Sequence, residues 1–599
     1  MQIKVSDYVI RCLEQTGSSH MFMLPGGGAM HLNDSLGKSE KIRFVCCQNE
    51  QGAAIAAEAY ARVSGTPGLL MVTTGPGGTN ALTGVAGAFI ESTPMIVISG
   101  QVKRLDMIRG QGIRQQGMQE LDIVSVVKPI TKYAALVDEP QMIRYHLERA
   151  VYEATHGRKG PVWLDIPLDV QATVVETDTL TGYTPFEVPK PDPERAALRI
   201  IEALNRSERP VLLAGNGIRL AGGIGAFHEL EQLLGIPVLT TWNGIDLTDG
   251  DDPLWFGRPG GLGHRYANLI QQNSDFFLSI GARMNLLQTG YNFEGFAREA
   301  VRVMVDIDEQ ELHKVNVRPD IAVCADAKCF IETLLRLKDR IQPKDRSAWL
   351  DYAARMKARY PIILPEYREQ AELVNTYCLI ETISEQMRAE DIYVSGSSGS
   401  CIDISMQAFR VKKGQRVFCT KGLASMGYGL PSAIGACLAG GGRRTVGVNG
   451  DGGFVMNIQE LETIRRLQLP VKLFVLCNHG YGAIQATQTN VFDRHFVACN
   501  PESGLTLPDI RRIAEAYGLR TFRIERNADL EETVRAVLEA DGPVICEVLT
   551  PITLTARPKQ VSYRRSDGQM ESLPLEFMNP PLPEDELRED MIIPMYPLA

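Results

Sequence analysis

The sequence predicts an α/β protein built of three doubly wound parallel-sheet domains, and three observations carry that prediction. Short apolar runs alternate with helical patterns along most of the chain: IRFVCCQ leads into NEQGAAIAAEAYARVSG, followed by GLLMVTTG, PMIVISG and PVWLDIP. That is the rhythm of strands joined by crossover helices. Several of the runs stop in polar, Gly-rich turns, which puts chemistry at the edge where open α/β sheets bind ligands. Finally, 599 residues exceed what one core organises, so several domains are expected.

Taken in order, the chain divides into four segments. Residues 1–187 carry the first alternating set. Residues 188–345 open with the Pro-punctuated linker VPKPDPE and alternate again through RPVLLAGNG, IPVLTTWNG, SDFFLSIGAR and VRVMVDIDEQEL. Residues 346–555 begin as a polar helical linker and continue into a third α/β set. Residues 556–599 are acidic, irregular and Pro-rich; they either lie over a domain surface or cap a site.

Composition narrows the function. With 44% hydrophobic and 22% charged residues the chain reads as an ordinary soluble globular protein. A net charge of −10 without a basic tract argues against a nucleic-acid partner. No apolar run approaches the roughly 18 residues that a membrane span requires. The start, MQIKVSDYVIRCLEQTG, is patterned as an amphipathic helix rather than a signal peptide. Twelve cysteines, none in a CxxC pair, read as reduced thiols in a cytoplasmic protein.

The most informative stretch runs from Val446 to Ile484. An apolar run ends in Asn449-Gly450-Asp451-Gly452-Gly453, a helical pattern spans Asn457 to Leu467, and a second apolar run ends in Asn478-His479-Gly480. This is a βαβ crossover, so Asp451 and Asn478 are expected at the same sheet edge. A carboxylate, a side-chain amide and bare backbone groups there suit a hard, oxygen-seeking cation holding a diphosphate. Two ordinary Asx turns would be the bland alternative. Elsewhere, Pro25-Gly26-Gly27-Gly28 permits close approach of backbone to a ligand, and Gly75-Pro76-Gly77-Gly78-Thr79-Asn80 opens a helix where a polar or anionic group can sit. Glu50 stands in the first turn of a small-residue helix, where a carboxylate commonly serves only the helix dipole.

GDG followed by Asn at the end of the next strand resembles the metal–diphosphate motif of thiamine diphosphate enzymes. The resemblance extends over about residues 1 to 555 and implies pyrimidine-binding, central and diphosphate-binding domains. It implies Mg²⁺ held by Asp451, Asn478 and the Gly480 carbonyl. VCCQNEQGAAIAAEAYARVSG resembles the segment carrying the family's activating glutamate, here Glu50, whose protonated carboxyl hydrogen-bonds the cofactor's pyrimidine ring. KGLASMGYGLPSAIGACLAGG resembles the family's Gly-x-Met-Gly-x-Gly-Leu-Pro signature, implying Met426 as the apolar prop under the cofactor and the Ala424 carbonyl as an acceptor. Further cofactor contacts implied are Gly27, Thr74, Gly77, Asn80, Gly399, Ser400, Gly452, Gly453, Tyr481, Gly482, Ala483 and Ile484. Two positions depart from the pattern: Asn49 stands where His is frequent, and Cys477 where Asn is usual.

Within that family the chain resembles the acetolactate (acetohydroxyacid) synthase branch. Met118-Gln119-Glu120 and Pro129-Ile130-Thr131-Lys132 match its Phe-Gln-Glu and Pro-x-x-Lys, implying Gln119 as a catalytic contact and Gly28, Met118, Lys132 and Thr487 near the substrates. No histidine lies between Met107 and Lys132, unlike the His-His pair of simple 2-keto-acid decarboxylases. The branch also binds FAD in its central domain, with Arg158 and Arg283 as the corresponding contacts; Asn285-Leu286-Leu287 replaces the usual Asp-Asp-Arg, which leaves the flavin open. The implied reaction decarboxylates pyruvate and passes the two-carbon unit to a carbonyl acceptor. Ala483 and Thr487 stand where the synthases carry a bulky Met and Trp, and Met118 where they carry Phe. The acceptor is therefore either a second 2-keto acid or a larger keto-sugar nucleotide, as in synthase-like enzymes of polysaccharide clusters. Other readings are a decarboxylase, a flavin-linked pyruvate oxidase and a non-catalytic cofactor-binding protein. A homodimer or tetramer with sites at the interface follows from the same resemblance.

Overall fold

The computed structural model describes residues 1–108, 110–186, 192–564 and 568–597, and the chain forms two compact units. The first comprises residues 1–187, 390–402 and 419–553 and contains two parallel sheets. One runs Arg43–Cys46, His20–Met23, Gly68–Val72, Met95–Gln101, Pro161–Pro167, Tyr133–Leu136. In the other, Ile392–Ser395, Thr445–Gly450, Val471–Cys477, Val544–Leu549 and Arg520–Ile524 lie side by side in that order. In both sheets the central strands are buried along their whole length, which is why they read as unbroken apolar runs. The second unit holds a third parallel sheet, ordered Val238–Thr240, Pro210–Ala214, Phe276–Ile280, Val301–Asp306, Ile321–Cys324. The three-sheet α/β reading is thus what the chain adopts.

Local chemistry explains the elements that matter for the site. Helix Glu50–Ser64 starts where the Asn49 side chain accepts the Gln51 N–H and stops at Gly65, whose φ of 76° ends the helix in the left-handed conformation. The expected crossover helix from Asn457 to Leu467 is interrupted. Helix Asp451–Val455 gives way to a 3₁₀ turn at Ile458–Glu460 before Leu461–Leu467 resumes. The cause lies at Asn457, whose fully buried carboxamide donates to the Gly427 carbonyl at 2.8 Å and so takes the backbone out of helical geometry (φ −132°).

Helix Glu50–Ser64 packs against two other helices of its unit through residues without bulk. Gly84 of helix Pro76–Ile90 faces Ala54, and Gly435 of helix Gly429–Ala439 lies on the Ala56 carbonyl with no room for a methyl group. The hydrophobic core is continuous across this contact, joining Ala53, Ala57 and Tyr60 to Leu430, Ala433 and Ile434. The tail is not loose. Leu575, Met578, Leu587 and Met591 are buried in the second unit, where Gln272 donates to Glu576 at 2.6 Å and Tyr352 to the Asp590 carbonyl at 2.8 Å.

The Gly435 contact is directly testable. Gly435→Ala forces a methyl group onto backbone that has nowhere to move, an overpacking that costs about 1–3 kcal/mol; the unfolding midpoint should fall, whereas Gly27→Ala, whose Cβ meets nothing, should leave it unchanged.

Candidate active site

Asp451 and Asn478 follow adjacent parallel strands, Thr445–Gly450 and Val471–Cys477, as the crossover geometry requires. Asp451 is buried, and its carboxylate accepts the N–H groups of Gly452 (2.8 Å), Asn478 (3.0 Å) and His479 (2.8 Å). His479 takes a φ of 58°, a left-handed conformation that turns the chain sharply after the strand. The Asn478 side-chain oxygen Oδ1 accepts the Gly480 N–H at 3.2 Å. Burial pushes the Asp451 carboxyl up, against the opposing pull of its three backbone donors. One buried carboxylate, one side-chain amide and strand-end carbonyls form an all-oxygen donor set, which fits Mg²⁺ shared with a diphosphate. Among the described residues no group of three His, Cys, Asp or Glu could hold a metal ion, so a self-contained thiolate or imidazole site is not the alternative.

Residues from distant segments gather around this edge. A Cβ on Gly452 would meet the Tyr481 ring at 2.5 Å and the Met426 methyl at 3.5 Å, so these three are neighbours. Gly399, with φ 63°, lies beside Ala483, and Ser400 opens the following helix. Gly453 lies beside the Gly427 N–H, and Gly482 beside the Asn478 amide. Ala424 has a φ of 55°; holding an alanine there costs energy and fixes the direction of its carbonyl. Helix Gly482–Val491 buries none of its residues. Ile484 is half exposed on it, and Thr487 donates to the Ala483 carbonyl at 3.1 Å.

The Glu50 region is the second centre. Glu50 is buried, Asn80 donates to its Oε2 at 3.0 Å, and Gly77 lies beside its Oε1. Gly28 packs on the Thr74 side chain, whose hydroxyl donates to the Gly100 carbonyl at 3.0 Å, while Gly27 is open. Gly75 lies against the Gln119 carbonyl. Gln119 is exposed with a φ of 65°, and Met118 is 88% exposed, so both project from the protein. They do so because Glu120, which the sequence did not mark for this, accepts the N–H groups of Ile108, Gln116 and Gly117 at 2.6 to 3.0 Å and clamps the loop behind them. Burial raises the Glu120 carboxyl, but the three donors outweigh it and the net shift is downward.

Three further expected residues have partners of their own. Lys132 donates its ammonium to the carbonyls of Glu153 and His156, at the C-terminal end of helix Ile143–Thr155. There the positive charge serves a helix terminus. Arg158 donates to Ser92 at 3.0 Å. Arg283, in the second unit, offers its carbonyl to Lys314.

The chain matches three family models: the N-terminal TPP binding domain of thiamine pyrophosphate enzymes over residues 3–126, the central domain over 198–334, and the C-terminal TPP binding domain over 397–548. It is 33% identical to the chloroplastic acetolactate synthase of Arabidopsis thaliana, over 92% of this chain and 81% of that protein. It is 34% identical to the chloroplastic acetolactate synthase 2 of Zea mays, over 92% and 85%. The chloroplastic acetolactate synthase 1 of Oryza sativa subsp. japonica is 33% identical over the same shares.

A buried ionic network supports the loop that carries Ala424 and Met426. Arg62, on helix Glu50–Ser64, pairs with Glu58 and donates to the Cys419 carbonyl at 2.9 Å. Tyr428 donates to Glu58 at 2.9 Å, and Glu91 accepts the Gly422 N–H at 2.8 Å. Side-chain exposures of 6% for Arg62 and 2% for Glu58 make this a desolvated pair, and removing one partner of such a pair costs about 3–5 kcal/mol. Glu58→Ala should lower the unfolding free energy by that amount in urea titrations.

Proposed function

The chain belongs to the thiamine pyrophosphate enzymes of acetolactate synthase type, and on that premise we propose that it decarboxylates pyruvate and transfers the two-carbon unit to a large, polar carbonyl acceptor, a nucleotide-linked keto sugar. The observation that carries the acceptor reading is the helix Gly482–Val491, which buries nothing and presents Ala483 and Thr487. Small and polar side chains leave volume and a hydroxyl where a bulky pair would confine a small 2-keto acid. A second 2-keto acid is the second reading, favoured by the names of the relatives.

Thiamine diphosphate, when bound, supplies the electron sink that makes decarboxylation and carbon–carbon bond formation possible. The protein's part is holding and orienting. Asp451, Asn478 and the Gly480 carbonyl would hold Mg²⁺ and, through it, the diphosphate. Gly399, Ser400, Gly452 and Gly453 would let backbone approach the phosphates closely. Met426, against Gly452 and Tyr481, would be the apolar support, and the Ala424 carbonyl an acceptor for the aminopyrimidine. Glu50, desolvated and fixed by Asn80, would hydrogen-bond the pyrimidine ring and govern its proton. Gln119, held out on its clamped loop, would meet the substrates. The open helix and exposed Met118 support a homodimer or homotetramer in which a partner covers these surfaces. A cytoplasmic setting agrees with twelve free cysteines; among the described residues no helix is long and apolar enough to cross a membrane.

A flavin fits this chain poorly. In the second unit the amides of four glycines in the segments leading to Arg283, the implied contact, already have backbone or side-chain partners. Gly217 donates to Gly281, Gly281 to Val305, Gly260 to the Asn268 side chain and Gly261 to Leu287, all at 2.8 to 2.9 Å. The tail lies on the same segments: the Gln560 N–H donates to the Gly261 carbonyl at 2.7 Å, and its side chain fills the space beside Gly290. Donors already engaged cannot also cradle a diphosphate. We therefore read the enzyme as working without FAD, and no step above uses one.

Two outcomes test these readings. Labelled pyruvate incubated with a nucleotide-linked 4-keto sugar should give a branched-sugar product; efficient acetolactate formation indifferent to the sugar would favour the second reading instead, and release of acetaldehyde alone would point to a decarboxylase. The active, purified protein should show no flavin absorbance; stoichiometric flavin bleached by pyruvate would overturn the flavin-free reading and revive an oxidase.

A further inference from the structure

Glu460 is a fully buried carboxylate in the crossover that joins the two strands leading to Asp451 and Asn478. Its partners lie far away in sequence. Oε1 accepts the N–H groups of Gln48 (2.9 Å) and Asn49 (3.0 Å), the two residues before Glu50, and Oε2 accepts the Thr463 hydroxyl at 2.7 Å. On the same side Arg466 donates to the Cys46 carbonyl at 2.6 Å. Gly52 completes the seat, because a Cβ there would come within 2.6 Å of Glu460 Oε1. The carboxylate thus lies against the first turn of helix Glu50–Ser64, where negative charge also suits the helix dipole. All of these residues belong to one compact unit.

We propose that Glu460 is a positioning residue for Glu50: by gripping the turn that launches its helix, it sets where the Glu50 carboxyl stands. The inference rests on the reading of Glu50 given above. Two amides held by one oxygen fix both position and rotation of the turn, and a carboxyl one residue further on inherits that geometry. The crossover that offers the metal motif at one end therefore disciplines the activating carboxyl at the other. A purely mechanical staple between the two sheets is the competing account. It predicts lost stability, with turnover preserved in whatever protein remains folded and cofactor-loaded.

The decisive measurements are turnover at saturating thiamine diphosphate and Mg²⁺, calorimetric cofactor affinity, and the unfolding midpoint. Misplacing a catalytic group by an ångström costs on the order of 10²-fold, so Glu460→Ala should lower kcat by about that factor while cofactor affinity stays within about 3-fold. Glu460→Gln keeps an oxygen for both amides and should restore most of the turnover. Because Glu460 acts through Glu50, the double variant Glu50→Gln/Glu460→Ala should be no slower than Glu50→Gln alone. Near-normal kcat in Glu460→Ala, or strictly additive losses in the double variant, would overturn the proposal. Should Glu460→Ala fail to fold, Thr463→Val loosens the carboxylate without removing it; a kcat loss with cofactor affinity kept supports the role, and an unchanged kcat refutes it. If Glu50→Gln is itself not slowed, the reading of Glu50 falls and this inference with it; if it is slowed and Glu460→Ala is not, only this inference falls.

Discussion

The structure of the first unit depends on how closely helix Glu50–Ser64 approaches helix Gly429–Ala439. Gly435 rests on the Ala56 carbonyl, and Ala and Gly line both sides of the contact. Small residues let the two backbones meet, and the packed interior then fixes their relative position far more tightly than a layer of flexible side chains would. Everything chemical in this unit hangs on that position. The N-terminal end of the first helix carries Glu50, its other end carries the Glu58–Arg62 pair that supports the loop of Ala424 and Met426, and the second helix begins just past that loop. A shift of one helix along the other would move Glu50 and the loop of Ala424 and Met426 together.

What the sequence disclosed is what local physics determines. Strand ends, Gly-rich turns and the Asn49–Gly65 boundaries of the Glu50 helix follow from periodicity and from backbone preferences, and the placement of Asp451 and Asn478 on adjacent strands follows from the handedness and length of a βαβ crossover. The three-sheet architecture was legible for the same reason. What stayed hidden depends on partners far apart in the chain. Asn457 breaks its helix because a carbonyl thirty residues upstream needs a donor. Lys132 matches a familiar pattern, yet its ammonium goes to a helix terminus twenty-odd residues on. Glu460 reads as one more polar residue in a crossover, and only tertiary structure brings it to Gln48 and Asn49, more than 400 residues away. The tail was ambiguous because its apolar residues are scattered; their common burial in the second unit settles where it packs.

Three buried carboxylates of the first unit differ in how their charge is met. Glu58 has a guanidinium, a phenol and the Thr93 hydroxyl, a complete set of partners that leaves nothing for a ligand. Glu460 has two backbone amides and a hydroxyl on its two oxygens, enough to hold a turn in place. Asp451 has, among the described residues, backbone amides alone. Amide donors orient a carboxylate but carry no formal charge, so burial leaves its negative charge uncompensated and raises its proton affinity. A divalent cation held there would offset that charge with the right sign and with oxygen-loving chemistry. Asp451 thus combines a carboxylate oriented by backbone amides with a place at the sheet edge where the crossover put it.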